Sequence, residues 1–187
     1  VDDISVKSVE GMYLFQAYLG MSFPLVRQKN QMYEIGVAVP NQKRYAYLER
    51  AKLPVKKSVR MPMPLSSKNV AQLCNNLIDQ PYGWGGLYNN RDCSGMIKDL
   101  FTPFSVWLPR NSASQAKHGG VYIDLTAMTD EQKELFIIEN GTPYLTLLWF
   151  PGHIMLYIGE KDNESLVFHN IWGIRTNDKD KRKIIGK

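Results

Sequence analysis

Cys93 is framed by Asp92, Ser94 and Gly95, follows the glycine- and aromatic-rich stretch Tyr82-Gly83-Trp84-Gly85-Gly86, and precedes a run with helical spacing. A thiol at the mouth of a helix meets free backbone N–H groups and the positive end of the helix dipole, and both stabilise a thiolate. Such a setting lowers a thiol pKa to about 3.5–7.5, the range of an active nucleophile. A nucleophile of this kind needs a base, and the base needs an orienter. Two of the three histidines fit those parts. His153 follows Pro151-Gly152 and opens the apolar run Ile154-Met155-Leu156-Tyr157-Ile158-Gly159, while His169 closes Leu166-Val167-Phe168. If the two runs pair as a hairpin across the turn at 160–165, the imidazoles share one face. His153 can then take the thiol proton while His169 fixes its tautomer.

Other residues fit these parts less well. Asn170 is a weaker orienter, because its side chain should point to the opposite face. His118 stands before Gly119-Gly120 and reads as a helix C-terminal cap. Cys74 lies on the apolar face of its own helical run and reads as a buried structural thiol. Cys93, His153 and His169 have zinc-compatible donor atoms, but neither C-x-x-C nor H-x-x-x-H spacing supports a metal site. No metal and no cofactor are expected.

The elements that must hold these residues are legible from periodicity. Residues 4–57 read as short strands: the apolar stretch 11–20, then Leu25-Val26-Arg27, residues 32–39 and Arg44-Tyr45-Ala46-Tyr47-Leu48, broken by Pro24, Asn30, Pro40 and Asn41. Several strands in so short a length fit a small β-barrel. Residues 52–64, with three prolines and four basic side chains, read as a linker. A helix is expected from Ser67 with Ser66 or Ser67 as cap, carrying Val70, Leu73, Cys74, Leu77 and Ile78 on one face. A second runs from Cys93 through Met96, Ile97, Leu100 and Phe101 to Pro103, and a short third covers 112–118. Thr129 with Gln132 three residues on is a capping box, opening a fourth helix with Leu135, Phe136 and Ile138. Strands are expected at 144–150, 154–158 and 166–169. Helices first and an antiparallel sheet second is α+β order.

The 187 residues suffice for one domain or two small ones. A hydrophobic content of 44% and a charged content of 22% exclude a disordered or fibrous chain. Two cysteines exclude a disulfide framework, and no apolar run approaches the ~20 residues of a membrane span. The net charge of +5 favours anionic surroundings such as nucleic acid, anionic lipid or cell-wall polymer without choosing among them. Opening on Val1-Asp2-Asp3, with neither methionine nor signal peptide, is expected of a processed or trimmed product.

From about residue 67 to 187 the chain resembles the NlpC family of bacterial cell-wall cysteine peptidases. The matching residues are Pro81-Tyr82-Gly83-Trp84-Gly85-Gly86, Asp92-Cys93-Ser94-Gly95, Leu108-Pro109-Arg110-Asn111-Ser112 with Gln115, Gly152-His153 with the strand after it, and His169. The β-rich front is similar to the bacterial SH3-like barrels that often precede this domain. The resemblance implies a papain-like α+β catalytic domain over 67–187, an SH3-like barrel over 1–57 and a linker over 58–66. It also implies cleavage of peptidoglycan stem peptides, typically between γ-D-glutamate and a diamino acid, at a periplasmic, secreted or envelope location, with no nucleic-acid partner. Cys93 would be the nucleophile, His153 the base and His169 the third polar residue. Tyr82 matches the tyrosine whose hydroxyl lies beside the thiolate. Asp92 and Ser94 match positions that hold the free amino group of an N-terminal L-alanine, and Arg110 either meets a substrate carboxylate or fixes the fold. An amidase or acyltransferase using the same thiolate, and a wall-binding module with an inactive groove, are the competing readings. Two features depart from the family pattern. An insert at 121–142 separates the Leu-Pro-Arg motif from His153, and the chain stops at Ile184-Ile185-Gly186-Lys187, where a further strand is expected to complete the sheet.

Overall fold

The structure, a computed structural model, describes residues 4–175 and 182–184. Residues 1–3, the basic Lys179-Asp180-Lys181 and the end Ile185-Gly186-Lys187, with the strand expected there, lie outside the described residues. The chain divides into two compact units, Val1–Met63 with Pro103–Ser105 and Pro64–Thr102 with Val106–Lys187.

The first unit is built on strands β1 (Ile4–Ser8), β2 (Tyr13–Ala17), β3 (Leu25–Lys29), β4 (Met32–Pro40) and β5 (Ala46–Pro54). They form one antiparallel sheet in the order β2-β1-β5-β4-β3. Alternation decides which side chains go inward: in β1, Val6 and Ser8 are buried while Ser5 and Lys7 are exposed. Val6, Ala17, Ile35, Val37, Ala51 and Leu53 make the core, with Phe15, Phe23 and Tyr33 packed around it. Strand β5 runs on to Pro54, so Lys52 and Leu53 belong to the sheet rather than to the linker read from composition. The inward pair Ala51 and Leu53 outweighs the local proline and charge content, because burial of alternate side chains fixes the register.

The second unit carries four α-helices among its described residues, α1 (Ser67–Asn75), α2 (Cys93–Phe101), α3 (Ser112–His118) and α4 (Asp130–Asn140). Its antiparallel sheet is β6 (Leu147–Phe150), β7 (His153–Lys161) and β8 (Glu164–Phe168), in that spatial order. A separate ribbon pairs β9 (Gly173–Arg175) with β10 (Arg182–Ile184). Each helix opens on a polar cap: Ser66, Asp92, Asn111 and Thr129 accept from the backbone N–H three residues on. Thr129 and Gln132 complete the expected reciprocal box. The apolar stripe of α2 packs against β7, where Ile97, Leu100, Ile154, Leu156 and Tyr157 are buried.

One expectation about a helix face needs correction. Helix α1 ends at Asn75, so Leu77 reaches the core from the following turn and Ile78 is left exposed. In α4, Leu135 is exposed, while Phe136, Ile137 and Ile138 are half-buried. That helix is fastened instead by its Glu134 carboxylate, which accepts from the Ser165 N–H of β8. No described helix is long and apolar enough to cross a membrane.

Candidate active site

Cys93 is the first residue of α2 and is 5% exposed. Its helix is started by Asp92, whose Oδ1 accepts from the Gly95 N–H at 2.7 Å. The same oxygen accepts from the Ser94 hydroxyl at 3.2 Å and from Arg110 Nη1 at 2.9 Å, and Oδ2 accepts from Arg110 Nη2 at 2.7 Å. Arg110 Nη1 also reaches Ser94 Oγ at 3.1 Å. Burial pushes the Asp92 carboxyl upward, but the Arg110 fork, the Gly95 N–H and the Ser94 hydroxyl together outweigh it and hold the group below its usual range. Three of these donors converge on Oδ1 and one reaches Oδ2, so the carboxylate is well satisfied but unevenly shared between its oxygens. Gly95 is needed by this arrangement, since a Cβ there would meet Asp92 Oδ1 at 3.0 Å and Arg110 Cζ at 3.6 Å.

Gln115 secures the same turn from below. It is 1% exposed, and its amide donates to the Ser94 carbonyl and to the Pro109 carbonyl, both at 2.8 Å. One side chain thus ties the start of α2 to the turn that presents Arg110.

His153 opens β7, and His169 stands one residue past the end of β8. The antiparallel register, ending at the pair Leu156 and Phe168, brings the imidazoles together. His153 Nε2 lies 2.9 Å from His169 Nδ1. Phe150 packs against His153, with ring centres 5.3 Å apart. Burial lowers the pKa of both histidines from the ordinary imidazole value, and His169 lowers that of His153 further.

Arg91 joins these parts, and the spacing of the sequence gave no sign of it. Its carbonyl accepts from the Gly83 N–H at 3.0 Å and from the Asn170 amide at 2.7 Å. Its guanidinium pairs with Asp99 on α2 at 2.8 Å. Asn170, weighed above as an orienter, therefore clips the segment after β8 to the residue two before the thiol.

Tyr82 pairs with Arg91 in an isolated parallel bridge. Burial pushes its phenol up to about 12, with the nearby Cys93 and Asp92 acting in the same direction. The phenol therefore keeps its proton at neutral pH and serves as a donor. The Tyr82 ring meets Trp84 and Trp172. The second cysteine, Cys74, is buried in α1, and burial pushes its thiol up to about 12.

A thiol at a helix N-terminus, on an α+β scaffold whose sheet carries a bonded histidine pair, defines the cysteine–histidine class of centre. The NlpC/P60 family model matches residues 79–180, more than half of the chain, and the chain belongs to that family. Residues 1–30 match the SH3 domain of SH3b2 type. The catalytic-side fold is accordingly papain-like, and the front sheet SH3-like. Among solved structures, an NlpC/P60 endopeptidase from Photobacterium damselae subsp. piscicida is 32% identical, with a TM-score of 0.72, covering 87% of this chain and 39% of that one. An NlpC/P60 family protein from Bacillus cereus ATCC 10987 shares the fold at 17% identity and a TM-score of 0.51, covering 87% of this chain and 53% of that one. This chain thus spans well under two thirds of either relative's length. The search of curated proteins found no match.

Proposed function

We propose that the protein is a cysteine endopeptidase acting on peptidoglycan stem peptides outside the cytoplasm, at the bond between γ-D-glutamate and a diamino acid. The observation that carries this reading is the His153 Nε2 to His169 Nδ1 bond of 2.9 Å, on the sheet against which the thiol-bearing helix packs. When His153 Nε2–H donates to His169, His153 Nδ1 is left bare to take the Cys93 proton. The thiolate then attacks the scissile carbonyl. The Tyr82 hydroxyl and the N–H groups at the start of α2 are the donors this reading assigns to the developing oxyanion. Collapse breaks the C–N bond, and His153 returns the proton to the leaving amine. Water, deprotonated by His153, hydrolyses the thioester and regenerates the thiol.

Asp92 and Ser94 are the groups offered to a free N-terminal L-alanine. An ammonium there must share the Asp92 carboxylate with Arg110, which already holds both of its oxygens. Arg110 in this reading fixes the fold first and meets substrate through Asp92. The family assignment and the SH3b2-type match support a wall substrate and an extracytoplasmic site of action.

The test compares the wild type with Cys93→Ala on L-alanyl-γ-D-glutamyl-diaminopimelate and on intact peptidoglycan, with products read by mass spectrometry. Wild type should release products and the variant should be slower by about 10⁴-fold or more. Equal turnover by the two proteins would exclude Cys93 as the nucleophile. Wall binding without cleavage by either would leave a binding module.

A further inference from the structure

Of the two bonded imidazoles, only His153 stands in a strand. It opens β7 and pairs with Phe150 of β6. The ladder between β7 and β8 stops at Leu156 and Phe168, so His169 lies outside it. Its neighbour Asn170 takes over the hold. That residue is 8% exposed, and its Nδ2 donates to the Arg91 carbonyl at 2.7 Å. A carbonyl only accepts, so the amide nitrogen rather than the amide oxygen must face it. An amide buried to this degree is costly without such a bond. Two consecutive side chains thus take separate partners. His169 Nδ1 lies against His153 Nε2, while Asn170 reaches the segment that leads into the thiol.

The Arg91 carbonyl is a junction. Besides Asn170 it accepts from the Gly83 N–H at 3.0 Å, so both of its lone-pair positions are used. Gly83 is next to Tyr82, Arg91 is two residues before Cys93, and Asn170 is next to His169. One oxygen therefore ties together the three short segments that carry Tyr82, Cys93 and His169. The junction is itself anchored, because the Arg91 guanidinium pairs with Asp99 of α2 at 2.8 Å. Farther along the chain, Trp172 rests on Tyr82 with ring centres 6.0 Å apart, a contact that lacks the direction of a hydrogen bond.

We propose that Asn170 is a positioning residue of the peptidase reaction: through the Arg91 carbonyl, its amide holds His169, and with it the His153 imidazole, in register with Cys93. The proposal rests on the peptidase reading above and deepens it. Asn170 touches no reacting atom. Its effect passes through His169, which sets the tautomer and orientation of the base. A misplacement of about 1 Å in such a group is enough to cost about 10²-fold in rate.

The test is a double-mutant cycle read without a wall substrate. Iodoacetamide alkylation of Cys93, located by mass spectrometry of the labelled peptide, is timed in wild type, Asn170→Ala, His169→Ala and the double variant. Asn170→Asp, which keeps the shape and loses the donor, is run beside them, with Tm recorded for every protein. Either Asn170 substitution should slow alkylation about tenfold, and the alanine should add little once His169 is gone. On L-alanyl-γ-D-glutamyl-diaminopimelate, kcat should fall about 10²-fold at unchanged KM. Equal slowing with and without His169, or a lower Tm with unaltered alkylation and kcat, would overturn the proposal and leave Asn170 a structural clip. A rise in KM at constant kcat would overturn it too, moving Asn170 to substrate binding. Because alkylation requires no stem peptide, failure of this role is distinguishable from failure of the peptidase reading, which the wild-type digestion decides separately.

Discussion

The paired histidines set the protein's response to acid. Both titrate below the ordinary imidazole value, burial being the main cause and His169 adding to the effect on His153. Between those native values and about 6.5, the unfolded chain binds more protons than the folded one. Stability therefore rises with pH across that window and is lost as pH falls through it. The Asp92 carboxyl, held low chiefly by Arg110 against the opposing effect of burial, behaves in the same sense at more acidic pH. Urea unfolding at about pH 7.5 and about pH 5.5 should show a lower midpoint in acid. His169→Asn, which keeps an acceptor for His153 Nε2–H, should shrink the difference. A midpoint that does not move between the two pH values would contradict the assignment of a histidine pair that is neutral at pH 7.5.

At the scale of elements, the loop from Tyr82 to Arg91 uses glycine in two ways, for positive φ at Gly85 and Gly86 and for close approach at Gly83. Gly83 has an extended backbone that any residue adopts, with φ −128°. A Cβ there would nonetheless meet the Leu87 carbonyl oxygen at 2.6 Å and Asn90 Cβ at 2.5 Å. Gly83→Ala should cost about 1–3 kcal/mol, the range for forcing atoms into a packed space. It should also slow turnover, because the same loop carries Tyr82 and ends beside the thiol. Thermal unfolding and kcat on a stem peptide check both, and an unaltered Tm would show that the loop yields. Local signals made much of this level legible. Ser66 and Thr129 each announce a helix start, and Cys93 is conspicuous at another; the capping roles of Asp92 and Asn111 came only with the structure. The histidine hairpin followed from alternation and one turn. What could not be read was long-range closure: the Arg110 to Asp92 fork spans 18 residues and the Asn170 to Arg91 bond spans 79. Neither leaves a periodic trace. The end of α1 after Asn75 and the run of β5 to Pro54 were hidden likewise, because packing overrode local composition.

At the scale of the whole molecule, a net charge of +5 would favour the anionic polymer of the proposed function. Coulombic attraction is screened by salt, with a range of about 10 Å at 0.1 M and about 3 Å at 1 M. Binding of the Cys93→Ala protein to purified wall, followed by sedimentation, should weaken several-fold between low and high salt and then level off. Complete loss at high salt would mean that charge alone holds the wall.

Burial of Cys74 leaves the two thiols chemically unequal. With its proton held up to about 12, Cys74 is silent towards electrophiles at neutral pH, while Cys93 is the first residue of α2 and the nucleophile of the proposed reaction. An alkylating reagent thus becomes a counting device in the unaltered chain. The adducts formed per molecule report what fraction of a preparation carries an assembled centre, and a rate can be expressed per working enzyme rather than per milligram.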